Sequence, residues 1–155
     1  MLEHNPHVTF VIAGTGDMIG RLIQQVAAWN IGDKVLFTGL LRGADVDRMY
    51  QMADLYVMPS VSEPFGITPL EAMRNNVPVL ISKQSGVSEV INHCLKTDFW
   101  DIDETASDII SILEHSELQQ ELSRNGKQEA LTLSWDIPAD KCIAIYNNLI
   151  LEVVG

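Results

Sequence analysis

Residues 55–73, LYVMPSVSEPFGITPLEAM, predict a strand, a loop and a helix in that order. The run Leu55–Met58 is short, apolar and rich in strand-favouring residues, whereas Pro69 begins a stretch with helical spacing. The loop between them contains Pro, Ser and Gly residues. Because ligands bind at the carboxyl ends of the strands in open parallel sheets, this loop lies where a binding site is expected.

The same strand and helix unit recurs on both sides of this stretch. Short strands that alternate with helices predict a parallel sheet covered on both faces, because crossover connections are right-handed and place the helices outside. We therefore expect a Rossmann-like α/β fold. The other predicted strands are Val8–Ile12, Val35–Phe37, Val79–Ile81 and Asp98–Trp100, and the other predicted helices of this region are Met18–Val26, Asp45–Met52 and Ser88–Asn92.

A wholly helical region follows the last predicted strand. Asp103 is predicted to cap one helix and Ser116 to begin a capping box in the next. A final amphipathic helix is predicted from near Pro138 to Val153. We expect a single domain over residues 1–155. Its start is too short for another strand and crossover helix, so we expect the first strand and helix of the sheet to be missing.

The composition excludes several classes of protein. Hydrophobic residues make up 46% of the chain, and the formal net charge of −11 argues against a nucleic-acid surface, which needs clustered Lys and Arg. No apolar run approaches the length of a membrane-spanning helix, about 20 residues. Cys94, Cys142 and the four histidines lack metal-ligand spacing, so we predict no metal site. This use of cysteine also favours a reducing, cytoplasmic setting.

The loop and the start of the following helix carry the predicted chemistry. Thr68 is predicted to be the N-cap, Pro69 the first helical residue and Glu71 the closing glutamate of a capping box. The unpaired amides and the dipole of such a helix start attract phosphate oxygens, so an acidic domain can still bind a nucleotide diphosphate. Gly66 would let the ligand approach the backbone, and Glu63 would accept hydrogen bonds from sugar hydroxyls.

These residues also have purely structural interpretations. Glu71 would serve only the helix cap, Glu63 would be a solvated loop acid, and Phe65 would be a core residue rather than a stacking surface. The turn formed by Gly14 and Gly16 lacks the third glycine of the dinucleotide fingerprint. A tight strand-to-helix turn explains it equally well.

The spacing of the two glutamates resembles a known signature. Glu63 and Glu71 begin the segments EPFG and EAM with seven residues between them, which resembles the E-x7-E motif of glycogen-synthase-like retaining glycosyltransferases, group 1 or family 4. The resemblance implies the C-terminal half of a GT-B enzyme, in which two Rossmann-like domains enclose a cleft. Further segments agree with this family in the same order: Ala13–Gly16, Val35–Gly39, Ala53–Asp54, Pro59–Ser60, Val77–Val79 and Gly86–Val90.

The resemblance implies a role for each matching residue. Glu63 would be the catalytic carboxylate that holds the donor sugar near its anomeric carbon, and Glu71 would bind the ribose hydroxyls of a nucleotide-diphosphate sugar. No metal and no cofactor is implied. The other donor-binding residues would be Phe65, Gly66, Ile67 and Thr68 through their backbone amides, Leu41 and Arg42 beside the base, and Gly14 and Gly16 along the cleft.

The implied reaction moves a sugar to an acceptor hydroxyl with retention of anomeric configuration. The N-terminal acceptor domain, and the Arg and Lys that the family usually places on the diphosphate, are missing from these 155 residues. We therefore expect weak donor affinity and little transferase activity from this chain alone. A peripheral membrane contact through the acceptor domain stays open. Two other functions also stay open, namely a nucleotide-sugar epimerase of the same architecture and a non-catalytic nucleotide-binding module.

Overall fold

The computed structural model describes the backbone of residues 1–154 and the side chains of residues 1–150. Strands and helices alternate as far as residue 82, and only helices follow the last strand, so the predicted α/β class is confirmed. The 3-10 turns are Gly32–Lys34 and Gly86–Glu89. The strands are β1 (Phe10–Ala13), β2 (Val35–Gly39), β3 (Tyr56–Met58), β4 (Val79–Ser82) and β5 (Leu95–Thr97), and the helices are α1 (Ile19–Ala28), α2 (Ala44–Met52), α3 (Thr68–Arg74), α4 (Ile102–Glu114), α5 (Ser116–Thr132) and α6 (Asp136–Val154).

The strands form two parallel sheets rather than the one that was predicted. β1 pairs with β2, with Phe10 opposite Val35. The second sheet has the order β3-β4-β5, with Val57 opposite Leu80. No ladder joins β1 to β3 within the described residues. All pairings are parallel, as the helical crossover connections require.

The core is built around β4. All residues of this strand are buried, because β3 and β5 flank it while α3 and α5 pack against it. A continuous apolar run such as Val79–Ile81 is typical of a central parallel strand with both faces covered. The buried apolar cluster consists of Tyr50, Met58, Ala72, Met73, Val77, Val79, Ile81, Val87, Ile91, Cys94 and Ala130.

The unit β1–α1–β2 adds little to this core. None of the residues of α1 is buried, although one side of the helix is apolar. Ile23, Trp29 and Leu36 are each at least half exposed. Apolar surface of this extent is typical of a face that packs against further protein. Among residues 1–154, no helix combines the length and the apolar character needed to cross a bilayer.

β5 lies before the predicted strand Asp98–Trp100, so that prediction was wrong. Leu95 of β5 pairs with Leu80 of β4. The carboxylate of Asp98 accepts a hydrogen bond from Gln84 Nε2 at 2.8 Å and stands outside the ladder. The position of this strand is decided by its pairing partner on β4 rather than by its own apolar content.

Two predicted helix caps were also wrong. Asp101, and not Asp103, caps α4, because its Oδ1 accepts a hydrogen bond from the amide of Glu104 at 2.8 Å. α5 begins at Ser116 as its first residue and has no side-chain capping hydrogen bond. Several acidic and hydroxyl residues compete near each helix start, and the exact backbone turn decides which one reaches an amide.

Candidate functional site

Backbone hydrogen bonds fix the loop between β3 and α3 against the 3-10 turn Gly86–Glu89. The amide of Gly86 donates to the carbonyl of Glu63 at 2.9 Å, and the amide of Val87 donates to the carbonyl of Phe65 at 2.6 Å. The position of the loop is therefore set by main-chain atoms. The carboxylate of Glu63, which is half-buried, makes no hydrogen bond within the described residues and stays accessible to solvent.

Gly66 turns the chain in the middle of this loop. Its φ is +95°, a backbone conformation that other residues rarely adopt. A Cβ at this position would lie 3.1 Å from Glu63 Cγ and 3.2 Å from Met58 Cε. The structure thus requires glycine here to place Glu63, and the predicted close approach of a ligand to Gly66 stays a prediction.

α3 begins at Thr68, but the predicted capping box is wrong. Ile67 is the N-cap and has no side-chain capping bond. The Oγ1 of Thr68 instead accepts a hydrogen bond from the phenol of Tyr56 at 2.8 Å. Pro69 lies in the first turn, close to the predicted position. The carboxylate of Glu71 does not close the box either, because it accepts a hydrogen bond from the phenol of Tyr50 and, within the described residues, none from a helix-start amide.

Unpaired amides surround the start of α3. Within the described residues, the N–H groups of Gly66, Ile67, Thr68 and Leu70 donate no hydrogen bond. Such donors fit an anionic ligand. α3 has only seven residues, so these individual amides, and not the dipole of a long helix, would supply most of the positive potential.

Glu71 is held by Tyr50. The phenol of Tyr50 donates to Glu71 Oε2 at 3.2 Å, and its ring packs edge-on against Tyr56 with centroids 5.8 Å apart. Burial is the largest cause that raises the pKa of both phenols, and the charge of Glu71 raises both further. The charge of Glu63 also raises the pKa of Tyr56. Both glutamates therefore lie near enough to Tyr56 for their charges to act on it.

Sequence reasoning missed both tyrosines. Tyr50 follows Val46 by one helical turn, on the side of α2 that meets the core, so its burial was predictable. Its bond to Glu71 spans 21 positions of the chain. No local pattern indicates a contact at that separation.

A second group of predicted donor-binding residues lies at the carboxyl ends of β1 and β2. Gly14 has a φ of +137°, and its amide donates to the carbonyl of Gly39 at 2.8 Å, which brings the two strand ends together. Gly16 and Arg42 are exposed, and Leu41 is half-buried. No hydrogen bond within the described residues joins this group to the loop after β3. Their shared role therefore stays a prediction.

Phe65 has a half-buried ring that packs at a tilt against the exposed indole of Trp135, with centroids 6.1 Å apart. This contact connects the loop to the segment just before α6. It favours a packing role for Phe65, whose ring is already in contact with another aromatic side chain.

Glu129 of α5 fixes the chain that follows the 3-10 turn Gly86–Glu89. Its carboxylate accepts hydrogen bonds from the amide of Asn92 at 2.9 Å and the amide of His93 at 2.9 Å. The predicted helix Ser88–Asn92 is wrong, because the 3-10 turn Gly86–Glu89 ends with the amides of Val90 and Ile91 bonded to Val87, and the amides of Asn92 and His93 bond to the distant carboxylate of Glu129. Burial alone would raise the pKa of Glu129, but these hydrogen bonds outweigh it and lower the pKa.

We expect Glu129→Ala to lower the free energy of unfolding by about 2 kcal/mol, because charge-assisted hydrogen bonds to two backbone amides are lost. Urea denaturation at neutral pH measures this loss. Glu121→Ala, at an exposed position of the same helix, should change stability by less than about 0.5 kcal/mol.

Because the folded protein lowers the pKa of Glu129, the stability that this carboxylate contributes is present above the ordinary carboxyl range and is lost as pH falls through the lowered value. A difference between Glu129→Ala and the unaltered chain that persists undiminished under strongly acidic conditions would contradict this assignment.

Comparison with known proteins identifies the family of this chain. A family model described as "Glycosyl transferases group 1" matches residues 1–129. An uncharacterized glycosyltransferase of Methanocaldococcus jannaschii is 33% identical over 99% of this chain and 40% of its own length. The chain thus spans less than half the length of that relative.

Two solved structures share the fold. The C-terminal domain of a glycosyl transferase group 1 family protein (LpcC) from Francisella tularensis has a TM-score of 0.76 and 23% identity, over 84% of this chain and 72% of that one. Anabaena Alr3699/HepE in complex with UDP-glucose has a TM-score of 0.80 and 24% identity, over 92% of this chain and 41% of that one. On the family match and the 33% identity to the Methanocaldococcus relative, this chain belongs to the group 1 glycosyl transferases.

Proposed function

We infer that this chain is the donor-binding domain of a retaining glycosyltransferase that transfers a sugar from a nucleotide-diphosphate sugar to an acceptor hydroxyl. One observation carries the proposal. The loop after β3 holds Glu63 beside Gly66 and leads through unpaired amides at Gly66, Ile67 and Thr68 into α3, which carries Glu71. Carboxylates for hydroxyl groups and amides for phosphate oxygens are the polar groups that a sugar nucleotide requires.

The two carboxylates differ in ways that suit their proposed roles. The oxygens of Glu63 have no partner within the described residues, so they would be able to bind the sugar beside its anomeric carbon. Glu71 is held at one oxygen by Tyr50 and would bind ribose hydroxyls through the other. The unpaired amides would stabilise the charge that develops on the departing diphosphate. The proposal includes no metal and no cofactor, and it leaves Glu63 as either a nucleophile or an orienting group.

The proposed enzyme contains more protein than this chain. β1 and β3 each have an edge with no partner strand among residues 1–154. One parallel strand placed between them would give the doubly wound order of a Rossmann sheet. The helix connected to that strand would cover apolar surface that α1 leaves exposed. We include this strand and helix in the proposal, together with an N-terminal acceptor domain that closes the cleft. A peripheral membrane contact made by that domain is compatible with the proposal. A cytoplasmic location is also part of the proposal.

Calorimetric titration of this chain with UDP, GDP and ADP, and then with the glucose and mannose esters of each, tests the function. We expect weak binding of one nucleotide, a preference among its sugar esters, and little or no sugar transfer to added acceptors. No binding to any of these ligands would overturn the donor-binding role. Binding of a nucleotide without preference among its sugars would favour a non-catalytic module, and robust transfer would contradict the need for an acceptor domain.

A further inference from the structure

We propose that Tyr50 and Tyr56 are positioning residues: Tyr50 orients Glu71 toward the ribose of a bound nucleoside diphosphate, and Tyr56 keeps the Thr68 hydroxyl off the amides that would bind its phosphates. This inference rests on the donor-binding function proposed above. Neither tyrosine is a member of the E-x7-E segment, and each belongs to an element that precedes it: Tyr50 to α2 and Tyr56 to β3.

Tyr50 restricts the carboxylate of Glu71. Its side chain is 7% exposed, and a phenol buried to that degree needs an acceptor for its hydroxyl. Glu71 Oε2 is that acceptor at 3.2 Å. Because one oxygen is held, the carboxylate is restrained from rotating, and Oε1 points in a fixed direction. A fixed acceptor of this kind suits the adjacent hydroxyl groups of a ribose.

Tyr56 acts in the same way on Thr68. A threonine at a helix start commonly accepts a hydrogen bond from an amide of the first turn. Here its Oγ1 accepts from the phenol of Tyr56 at 2.8 Å instead. The hydroxyl is held away from the amides of Thr68 and Leu70, which donate no hydrogen bond within the described residues. Those amides are therefore left for a ligand.

The two tyrosines form one rigid unit. Their rings meet edge to face, with centroids 5.8 Å apart and planes at 67°. Tyr50 is a member of the buried core, and Tyr56 packs against that core. Groups fixed in this way before a ligand arrives reduce the entropy lost on binding. The pair therefore fixes the carboxylate of Glu71 and the hydroxyl of Thr68 from within the core.

Calorimetry separates the two positioning roles. The ligands are the nucleoside diphosphate that binds best among UDP, GDP and ADP, and its 2′,3′-dideoxy form, which lacks the ribose hydroxyls. We expect Tyr50→Phe to weaken binding of the ribonucleotide by about fivefold to tenfold and to leave binding of the dideoxy form unchanged. Tyr56→Phe should weaken binding of both forms by the same factor, because the freed hydroxyl of Thr68 would compete for the amides that bind the diphosphate. Tyr146 is 64% exposed on α6. Tyr146→Phe is therefore the matched control and should change neither affinity.

The outcomes distinguish this inference from the proposed function. If the unaltered chain binds none of the nucleotides, the donor-binding role fails and this inference fails with it. If the unaltered chain binds but Tyr50→Phe has no effect, or weakens both forms equally, only the positioning role is overturned. A double variant guards against a general loss of structure: in a Glu71→Ala background, Tyr50→Phe should cause no further loss of ribose discrimination, and an additive loss would overturn the inference.

Discussion

Replacement of Gly86 by alanine is expected to lower the free energy of unfolding by about 3 kcal/mol, with a fall of about 10 °C in Tm. A Cβ on Gly86 would lie 2.1 Å from the carbonyl oxygen of Pro64 and 3.1 Å from the Cα of Phe65. Both are main-chain atoms, so no side-chain rotation relieves the overlap. The loop after β3 would have to move, and the hydrogen bond from the amide of Gly86 to the backbone carbonyl of Glu63 would be lost.

Urea denaturation followed by circular dichroism measures this loss as a shift of the midpoint at constant slope. Gly20→Ala is the matched control, because nothing lies within 4 Å of a Cβ at Gly20 and its backbone is helical. That variant should be more stable by about 0.5 kcal/mol, since alanine favours the helix. The same substitution thus has opposite signs at the two sites. An unchanged midpoint for Gly86→Ala would show that the loop after β3 adapts to the added Cβ. The conclusion that main-chain atoms fix the position of this loop would then be wrong.

Glu71→Ala is expected to weaken nucleotide binding by about tenfold to a hundredfold, because two ribose hydroxyls would lose a charged acceptor. The variant also leaves the hydroxyl of Tyr50 without its acceptor, so a stability loss of about 1 kcal/mol should accompany the change. Isothermal titration with the free nucleotide measures the effect on affinity. Nucleotide affinity that equals that of the unaltered chain would exclude Glu71 from the ribose site.

Glu63→Ala tests the other carboxylate in parallel. Its proposed contact is with the sugar, so affinity for the free nucleotide should change little while the preference among sugar esters is lost. Glu117→Ala controls for the change in net charge, because Glu117 is exposed in the first turn of α5. If Glu63→Ala and Glu71→Ala have the same effect on every ligand, the proposed division between sugar and ribose is wrong.

Most of the elements could be predicted from local patterns. The apolar run Val79–Ile81 predicts the central strand β4, and the run that ends at Met58 predicts β3. These predictions were correct because a buried parallel strand needs only a short apolar sequence between turn residues. The strand near residue 98 was misplaced, because both Leu95–Thr97 and Asp98–Trp100 are short enough to pair and only the register against β4 distinguishes them.

The candidate site could be located but not built from the sequence. The spacing of Glu63 and Glu71 identified the loop, and Pro69 marked the first turn of its helix. The capping box was wrong, because the Oγ1 of Thr68 accepts a hydrogen bond from the phenol of Tyr56 rather than from an amide of its own helix. Sequence patterns describe which groups are able to bond, whereas folding decides which of them come within reach.

By itself, the sequence determined the α/β class, the strand-loop-helix unit that carries both glutamates, and the family resemblance, because periodicity, glycine and proline act over a few neighbouring residues. Only the tertiary structure decided the partners of the polar side chains. Tyr56 reaches Thr68 across 12 positions, Tyr50 reaches Glu71 across 21, and Glu129 reaches Asn92 across 37. Contacts at such separations depend on how strands and helices that are distant in the chain pack together, and a polar group bonds to whichever partner that packing brings within reach.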